Sequence, residues 1–367
     1  MGVHSARLSD LPTIRRLDHD GLTTVLTPTL TSRQPSAVTL TVLSSWRSVG
    51  QRTQTLVLSN GNAARGFIQA RSRPGRESWD IVRLACSAED DEAWNRACAE
   101  LLDRACGATA QRGALRTFVR VPSDSEHLTM LAENGFRQYA TELTHQGTLS
   151  ATATSAPEPG PDIRVRHPRD AWDIFSMYCA VTPALVRHAE GRSLKEWTAP
   201  SRFASATLRR WPCSREVVLG EPGELRAWLR WEPARHGRPQ VIDMLVRPEA
   251  TERLGELIRF AAENLGLDAD CITICKAREY DGRISATLEE AGFDAIFRET
   301  LLVRHTVARV TERQLLVAAL RAQGLGIDIS HCHNGSEAVQ HRLASSREIE
   351  HQYYDHYDRS GRASYYR

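Results

Sequence analysis

Two short stretches decide how this chain is organised: LAENGF at Leu131–Phe136 and LEEAGF at Leu288–Phe293. They are offset by 157 residues, and Glu142 and Glu299 share that offset. In each stretch an apolar helical segment ends at a glycine, the residue type suited to the left-handed conformation that closes a helix. The matching order predicts an internal repeat, which constrains a fold strongly wherever it occurs.

The repeat extends upstream of these two stretches. The segment from Leu56 to Glu89 parallels the segment from Val217 to Glu249, with the offset drifting to 160 residues, and Ala6–Asp10 parallels Val165–Asp170. Between the copies, LSATATSAPEPGP is small and proline-rich with no apolar period, as expected for a linker. We predict a first copy at 1–148, a linker at 149–161, a second copy at 162–310, and a helical or disordered tail at 311–367.

Each copy shows the same predicted order of helices, three strands, helix, strand, helix and strand. A spacing of three and four residues predicts a helix from Trp94 to Ala105, and Asp124 and Asp281 are expected to cap the helices that end in the Gly-Phe pairs. A meander followed by strand–helix–strand crossovers predicts an α/β fold (an α+β mixed sheet) with helices on both faces. Strands are expected at Gln54–Leu58, Arg65–Ala70, Trp79–Cys86, Ala114–Val121 and Phe136–His145, and at Arg215–Leu219, Leu225–Trp231, Val241–Val246, Cys271–Lys276 and Phe293–His305.

Composition excludes several classes of protein. The chain has 367 residues, 41% of them hydrophobic and 25% charged, which is ordinary globular usage and not that of a disordered or collagen-like chain. A net charge of +2 gives no reason to expect nucleic acid or an anionic membrane as a partner, and no apolar run approaches the roughly 20 residues of a membrane helix. The eight cysteines form no CxxC pair, and Met1–Asp10 lacks an apolar signal region, so we expect reduced thiols and a cytoplasmic protein.

The element order and the repeated Leu-x-x-x-Gly-Phe stretches resemble the GNAT (GCN5-related N-acetyltransferase) superfamily. Val246-Arg247-Pro248-Glu249, at the end of the third strand of the second copy, resembles the family's V-x-P-E step into its acyl-CoA loop. The resemblance implies two tandem GNAT-like acyl-CoA N-acyltransferase folds with acetyl-CoA as co-substrate. It also implies a small-molecule or peptide amine as acceptor, and a homodimer is possible.

The resemblance implies that the cofactor pyrophosphate binds at the start of the helix after the third strand, where a helix N-terminus offers free N–H groups. The first copy places Glu89, Asp90, Asp91 and Glu92 there without a glycine, and these carboxylates would repel a phosphate. We therefore expect the first copy to be non-catalytic.

The second copy is more favourable at the same place. The expected cofactor-binding residues are Met244, Leu245, Val246, Arg247, Thr251, Arg253 and Gly255. The alternative is that Thr251 and Glu252 simply begin a helix and that Gly255 is a packing position.

Candidate catalytic groups are few. The family's tyrosine acid is replaced by Leu131 in one copy and by Leu288 in the other, so Tyr280 is the nearest substitute. Asp243 on the third strand could act as a base if burial raised its pKa, although acidic residues on strands often lie on a solvated face.

Aromatic residues are concentrated in the second copy. Tyr178, Trp197 and Trp228 could line a substrate pocket or could belong to the core. In the tail, His331, Cys332 and His333 match no standard zinc spacing, so no metal is expected.

The sequence therefore favours transfer of an acetyl group to an amine by the second copy. The alternative is a non-catalytic tandem scaffold that binds a partner.

Overall fold

The computed structural model describes residues 2–19, 23–25, 36–45, 53–60, 63–73, 77–87, 90–150, 157–198, 215–234, 239–265 and 269–306, all within one compact unit. The tail predicted at 311–367, with its His-Cys-His sequence, lies outside the described residues. In the part of the chain that the structure describes, no helix is long and apolar enough to cross a membrane.

The first repeat has the predicted element order with small changes of boundary, apart from two short strands, Gly2–Ser5 and Thr23–Val25, that the sequence did not predict. Its elements are β1 (Gly2–Ser5), α1 (Leu11–His19), β2 (Thr23–Val25), α2 (Ala37–Ser45), β3 (Thr53–Asn60), β4 (Ala63–Ser72), β5 (Ser78–Cys86), α3 (Asp91–Ala110), β6 (Arg116–Pro122), α4 (His127–Glu133) and β7 (Arg137–Thr148). The prediction that Asp124 caps α4 is wrong: the helix begins three residues later, and the capping position, Glu126, makes no side-chain bond to it.

The second repeat follows the same order from its meander onward, but before the meander its described residues form three helices and no equivalent of β2. Its elements are β8 (Ile163–Val165), α5 (Ala171–Val181), α6 (Ala184–Glu190), α7 (Leu194–Thr198), β9 (Arg215–Leu219), β10 (Ala227–Glu232), β11 (Gln240–Val246), α8 (Leu254–Asn264), β12 (Ile272–Arg278), α9 (Gly282–Glu290) and β13 (Asp294–His305). Asp281 occupies the capping position of α9, but its side chain makes no capping hydrogen bond. The mixed α/β fold class predicted from the sequence is confirmed.

The Gly-Phe pairs have the same geometry in both repeats. Gly135 and Gly292 have φ of 81° and 86°, the left-handed region that glycine adopts without strain. The N–H of Phe136 donates to the Leu131 carbonyl at 3.1 Å, and the N–H of Phe293 donates to the Leu288 carbonyl at 2.9 Å. Both phenylalanines are buried, so each turn delivers its ring into the core as the last strand begins.

The two repeats share one continuous sheet because they exchange their last strands. The strand order is β1-β3-β4-β5-β6-β13-β7-β12-β11-β10-β9-β8, with β2 pairing with β5 outside this path. The last strand of the first repeat, β7, pairs with β12 of the second, and the last strand of the second, β13, pairs with β6 of the first. The boundaries 1–148 and 162–310 thus separate two copies in the sequence but not two sheets.

Helices cover both faces of this sheet. The first face, here called the α8 face, carries α3, α4, α8 and α9 over two large apolar clusters. The opposite face, here called the α5 face, carries α1, α2, α5, α6 and α7 over smaller clusters. Alternation along β11 divides its residues between the faces, since Ile242 and Val246 join the α8 face while Leu245 packs on the α5 face.

A close contact marks the strand exchange on the α8 face. Gly147 of β7 lies so near the ring of Phe293 that a Cβ at this position would stand 2.7 Å from the ring. His145, two residues earlier and fully buried, has its Nε2 at 2.8 Å from the hydroxyl of Ser285 on α9. The first repeat therefore supplies core residues to the second.

A buried charge cluster lies at the centre of the sheet, where Glu142 of β7 pairs directly with its repeat equivalent Glu299 of β13. Glu142 contacts Arg120 at 2.6 Å, Lys276 at 3.2 Å and Arg278 at 3.2 Å. Both carboxylate oxygens of Glu299 lack a hydrogen-bond partner among the described residues, and its nearest cations, Lys276 and Arg120, stand at 3.8 and 4.0 Å. Burial opposes ionisation of both carboxyls, but the three cations hold the pKa of Glu142 well below its usual range, whereas burial raises the pKa of Glu299.

Candidate functional site

The parallel strands β11 and β12 of the second repeat separate part-way along their length. Their ladder joins Gln240–Ile242 to Thr273–Cys275 and ends there. Beyond this point Asp243–Val246 and Lys276–Arg278 diverge, with β10 on the outer side of β11 and β7 on the outer side of β12. The gap between the diverging strands, here called the second wedge, has Ile242 and Cys275 at its closed end.

Backbone polar groups of β11 face the second wedge. The N–H of Arg247 donates to the Arg226 carbonyl at 2.8 Å, which continues the antiparallel register between β10 and β11. Since hydrogen-bonding positions alternate along an antiparallel pair, Leu245 and Asp243 also direct their backbone groups toward β10. The backbone groups of Met244 and Val246 therefore point into the wedge.

The first repeat has an equivalent wedge between β5 and β6, whose ladder covers only Ser78–Asp80 and Arg116–Phe118. This wedge is filled by the protein itself. The short strand β2 pairs antiparallel with β5 and places Thr24 opposite Leu84, the repeat equivalent of Met244. Because β4 already occupies the other edge of β5 at Leu84, β2 must lie on the wedge side.

The helix that follows each wedge also begins differently in the two repeats. In the first, the Asp90 side chain caps α3 by accepting from the Ala93 N–H at 2.7 Å, and Asp91 and Glu92 stand in its first turn. A carboxylate thus already satisfies the end of the helix where an anion would bind. In the second, the 3₁₀ turn Pro248–Arg253 leads into α8 with no side-chain cap.

The predicted cofactor-binding residues converge at this turn. Thr251 is buried, and its hydroxyl donates to the Pro248 carbonyl at 3.1 Å. Gly255 lies in the first turn of α8. The Arg247 Nε donates to the Leu225 carbonyl at 3.0 Å, and among the described residues Arg247 pairs with no carboxylate. Arg253 differs, because its guanidinium is held by two carboxylates.

Asp162 and Glu256 both form ion pairs with the Arg253 guanidinium. Arg253 donates both of its terminal nitrogens to Asp162, at 2.7 and 2.9 Å, and bonds to Glu256 at 2.8 Å. Asp162 also accepts from Arg226 at 2.6 Å. The two carboxylates therefore neutralise much of the positive charge at this corner of the wedge.

Comparison with solved structures finds neighbours of low sequence identity. The chain is similar in fold to GNAT acetyltransferases. A tandem GNAT protein from the clavulanic acid biosynthesis pathway, solved without AcCoA, is 11% identical, with 84% of this chain and 99% of that chain covered and a TM-score of 0.45. A GCN5-related N-acetyltransferase from Sphaerobacter thermophilus is 12% identical over 83% of this chain and 95% of that chain, with a TM-score of 0.46.

A GCN5-related N-acetyltransferase from Anabaena variabilis ATCC 29413 is 8% identical over 83% of this chain and 72% of that chain, with a TM-score of 0.44. No protein-family model and no curated protein sequence matches the chain. The likeness concerns the fold alone, so any function must follow from the geometry of the second wedge.

Asp243, the proposed base, lies on the α5 face at the closed end of the second wedge and forms an ion pair with Arg230 of β10. Burial alone would raise the pKa of Asp243, but the positive charges of Arg230, Lys276 and Arg192 outweigh it and lower the pKa. The condition on which the sequence prediction depended, a raised pKa, is therefore not met.

Tyr280, the proposed acid, lies in the 3₁₀ turn Glu279–Asp281 that follows β12 and is 39% exposed. Burial of the rest of its ring, opposed by Arg278, raises the pKa of Tyr280 to about 12. The phenol therefore keeps its proton at neutral pH. The same turn carries Asp281, whose pKa burial raises to about 6.

The three aromatic residues predicted as a substrate pocket lie together in a buried cluster on the α5 face, against which Leu245 packs. Tyr178 and Trp197 have ring centroids 5.7 Å apart, and Trp197 meets Trp228 edge-on at 5.3 Å. The Trp228 Nε1 donates to Glu216 at 2.8 Å. These contacts show that the three aromatic side chains are packed in the core beside the second wedge.

Sequence reasoning missed the residues that distinguish the two wedges. Thr23–Val25 gave no sign of pairing with β5, because three residues carry no usable period. Asp162 was assigned to the start of the second copy, and only the fold brings its carboxylate to Arg226 and Arg253. Among the described residues, no group of three or more His, Cys, Asp or Glu side chains is placed to hold a metal ion.

Proposed function

We propose that the second repeat binds acetyl-CoA in the second wedge and transfers the acetyl group to a small-molecule or peptide amine. The observation that carries this proposal is the contrast between the two wedges. On its wedge side, Leu84 of the first repeat is paired with β2, whereas the described residues place no strand on the wedge side of its equivalent, Met244, which pairs with β10 on its other side.

The donor groups of the second wedge suit an extended, amide-bearing chain that ends in phosphates. The backbone groups of Met244 and Val246 can pair with such a chain as they would with an added strand. Arg247, at the open end of the wedge, can form a charge-assisted hydrogen bond to a phosphate oxygen. The first wedge offers neither, since its strand edge is paired and its helix end is capped by Asp90.

The chemistry follows from the groups around the wedge. Bound acetyl-CoA would supply an acyl group activated as a thioester. One backbone N–H on this edge, that of Met244 or that of Val246, can donate to an oxygen that becomes negative during acyl transfer. The ion pair with Arg230 lowers the pKa of Asp243 and makes it a weak base, so the amine must reach the site already neutral. The amine nitrogen would bond to the carbonyl carbon as the C–S bond breaks. Tyr280, which retains its proton at neutral pH, can deliver that proton to the leaving thiolate, and the proton lost by the amine then restores the phenol.

Calorimetric titration of acetyl-CoA into the full chain tests the proposal. Replacing Arg247 with alanine should weaken binding about tenfold or more, since a hydrogen bond to a charged group contributes about 1.5–3 kcal/mol. Arg137→Ala, which removes an exposed arginine from β7 of the first repeat, is the matched control and should bind as the unmodified chain does. Absence of binding at millimolar acetyl-CoA, or equal losses in the two variants, would refute the proposal.

A non-catalytic scaffold is the second candidate, favoured by the closed first wedge and by the neutralisation of Arg253. Turnover of acetyl-CoA distinguishes the catalyst from the scaffold. A catalyst consumes acetyl-CoA faster when a panel of primary amines is supplied, and Tyr280→Phe then lowers kcat more than it changes KM. A scaffold shows no amine-dependent consumption of acetyl-CoA.

A further inference from the structure

Three arginines surround the start of α8, and two of them share a carboxylate ligand from the protein itself. Arg253 and Arg226 both donate to Asp162, which receives three hydrogen bonds of 2.6–2.9 Å from them. Arg247 adjoins this pair, since its backbone N–H donates to the Arg226 carbonyl. A carboxylate held by two guanidinium groups occupies the kind of site that also binds phosphate.

The chain is built to keep Asp162 in this place. At Gly160, a Cβ would stand 2.5 Å from the Arg253 guanidinium, so a larger residue here would displace the end of that side chain. The Gly160 N–H points toward Glu256 at 3.4 Å, and the Asp162 carbonyl accepts from the Gly220 N–H at 2.9 Å. Residues 160–162, at the end of the segment between the repeats, are therefore held against the first turn of α8.

We propose that Asp162 is an intramolecular competitor for the phosphate groups of the acyl donor at the corner formed by Arg226, Arg247 and Arg253. This inference rests on the function proposed for the second wedge. A phosphate that approaches this corner must displace the Asp162 carboxylate or lie beside it. Asp162 thereby sets the affinity for the donor and couples donor binding to the segment that joins the two repeats.

The charges at the corner predict whether removing the Asp162 charge raises or lowers the affinity for phosphate. Arg226 and Arg253 carry two positive charges, and Asp162 and Glu256 carry two negative charges, so the four groups are neutral together. The three hydrogen bonds from Arg253 and Arg226 keep the pKa of Asp162 below its ordinary value, so it is ionised at neutral pH. Arg247 brings the corner to one net positive charge, and neutralising Asp162 raises it to two, which attracts a phosphate more strongly.

Titration of the full chain with acetyl-CoA, CoA and inorganic pyrophosphate tests the inference. Asp162→Asn should bind acetyl-CoA about tenfold more tightly than the unmodified chain, with a parallel gain for pyrophosphate. Asp162→Glu keeps the charge and should show no gain. Asp270→Asn is the matched control, because it neutralises a carboxylate that accepts from Ser150 at 2.9 Å near the other end of the same segment.

The outcomes separate the inference from the function on which it rests. If the unmodified chain binds acetyl-CoA and Asp162→Asn binds equally or less tightly, the competitor role is refuted and the donor site stands. Equal gains in Asp162→Asn and Asp162→Glu would also refute it, because the charge would then not be the cause. If neither the unmodified chain nor Asp162→Asn binds at millimolar concentration, the donor site itself is refuted.

Discussion

Replacing Gly147 with alanine should destabilise the protein, because this residue is where β7 of the first repeat meets the core of the second. The added Cβ would stand 2.7 and 2.8 Å from two ring carbons of Phe293 and 3.1 Å from the Gly292 carbonyl oxygen. Ordinary van der Waals contact begins about 0.7 Å further out, and the ring is buried on all sides, so it has no free space to enter. Overpacking of this kind costs about 1–3 kcal/mol.

Urea unfolding of the full chain, followed by tryptophan fluorescence, measures this change in the free energy of unfolding. The matched control is Gly107→Ala in α3, where a Cβ would meet nothing within 4 Å. An alanine in a helix interior stabilises by about 0.5–1 kcal/mol relative to glycine. The two Gly→Ala substitutions should therefore move the midpoint in opposite directions.

A second substitution shows whether contact with the Phe293 ring causes the loss of stability in Gly147→Ala. Phe293→Ala removes the two ring carbons that the new methyl group would strike, so Gly147→Ala should cost less in that background, with a coupling free energy of about 0.5–3 kcal/mol. A neutral or stabilising effect of Gly147→Ala alone, or a cost that does not depend on residue 293, would refute the close packing of the exchanged strand.

Three further predictions concern charge and capping. Glu142→Gln should lower the free energy of unfolding at pH 7 by about 3–5 kcal/mol, because it removes the carboxylate that Arg120, Lys276 and Arg278 share, whereas Glu299→Gln should not destabilise. Equal losses would contradict the assignment. In the unmodified chain, the contribution of Glu142 is present above its ordinary pKa and is lost as the pH falls, while the raised pKa of Glu299 means that its contribution declines as the pH rises above the ordinary value. Denaturation of each variant across pH measures these opposite slopes. Burial lowers the pKa of His145, so its contribution is present above about pH 6.5 and is lost below it, and His145→Gln should lack that loss in the same measurement. Asp90→Ala should lower the free energy of unfolding by about 1 kcal/mol through loss of the α3 cap, without creating acetyl-CoA binding in the first repeat, as calorimetry would show.

The fold could be predicted from the sequence to the extent that local patterns determine it. The helix-ending glycines at 135 and 292 have the expected left-handed conformation, because few other residues adopt it without strain. The amphipathic spacing around Trp94 marked α3 for the same kind of local reason. The exchange of β7 and β13 could not be predicted, since each strand offers the same alternation to either neighbouring sheet.

The candidate site could likewise be predicted only where the local sequence determines it. The V-x-P-E sequence located the 3₁₀ turn and α8. Whether a strand of the chain fills each wedge depends on contacts between residues distant in sequence. Thr24 pairs with Leu84, which is 60 positions further along the chain, and Asp162 reaches Arg253, which is 91 positions further along. The acidic start of α3 was visible in the sequence because a capping residue and the N–H that it accepts from are three residues apart.

The exchange of the final strands has a consequence for any shortened form of the chain. Deleting the first repeat would remove the neighbour of β12 and leave the remaining half with a bare, pairing-competent edge in the middle of its hydrophobic layer. Deleting the second would do the same to β6. Each repeat therefore needs the other to complete the pairing of its own strands.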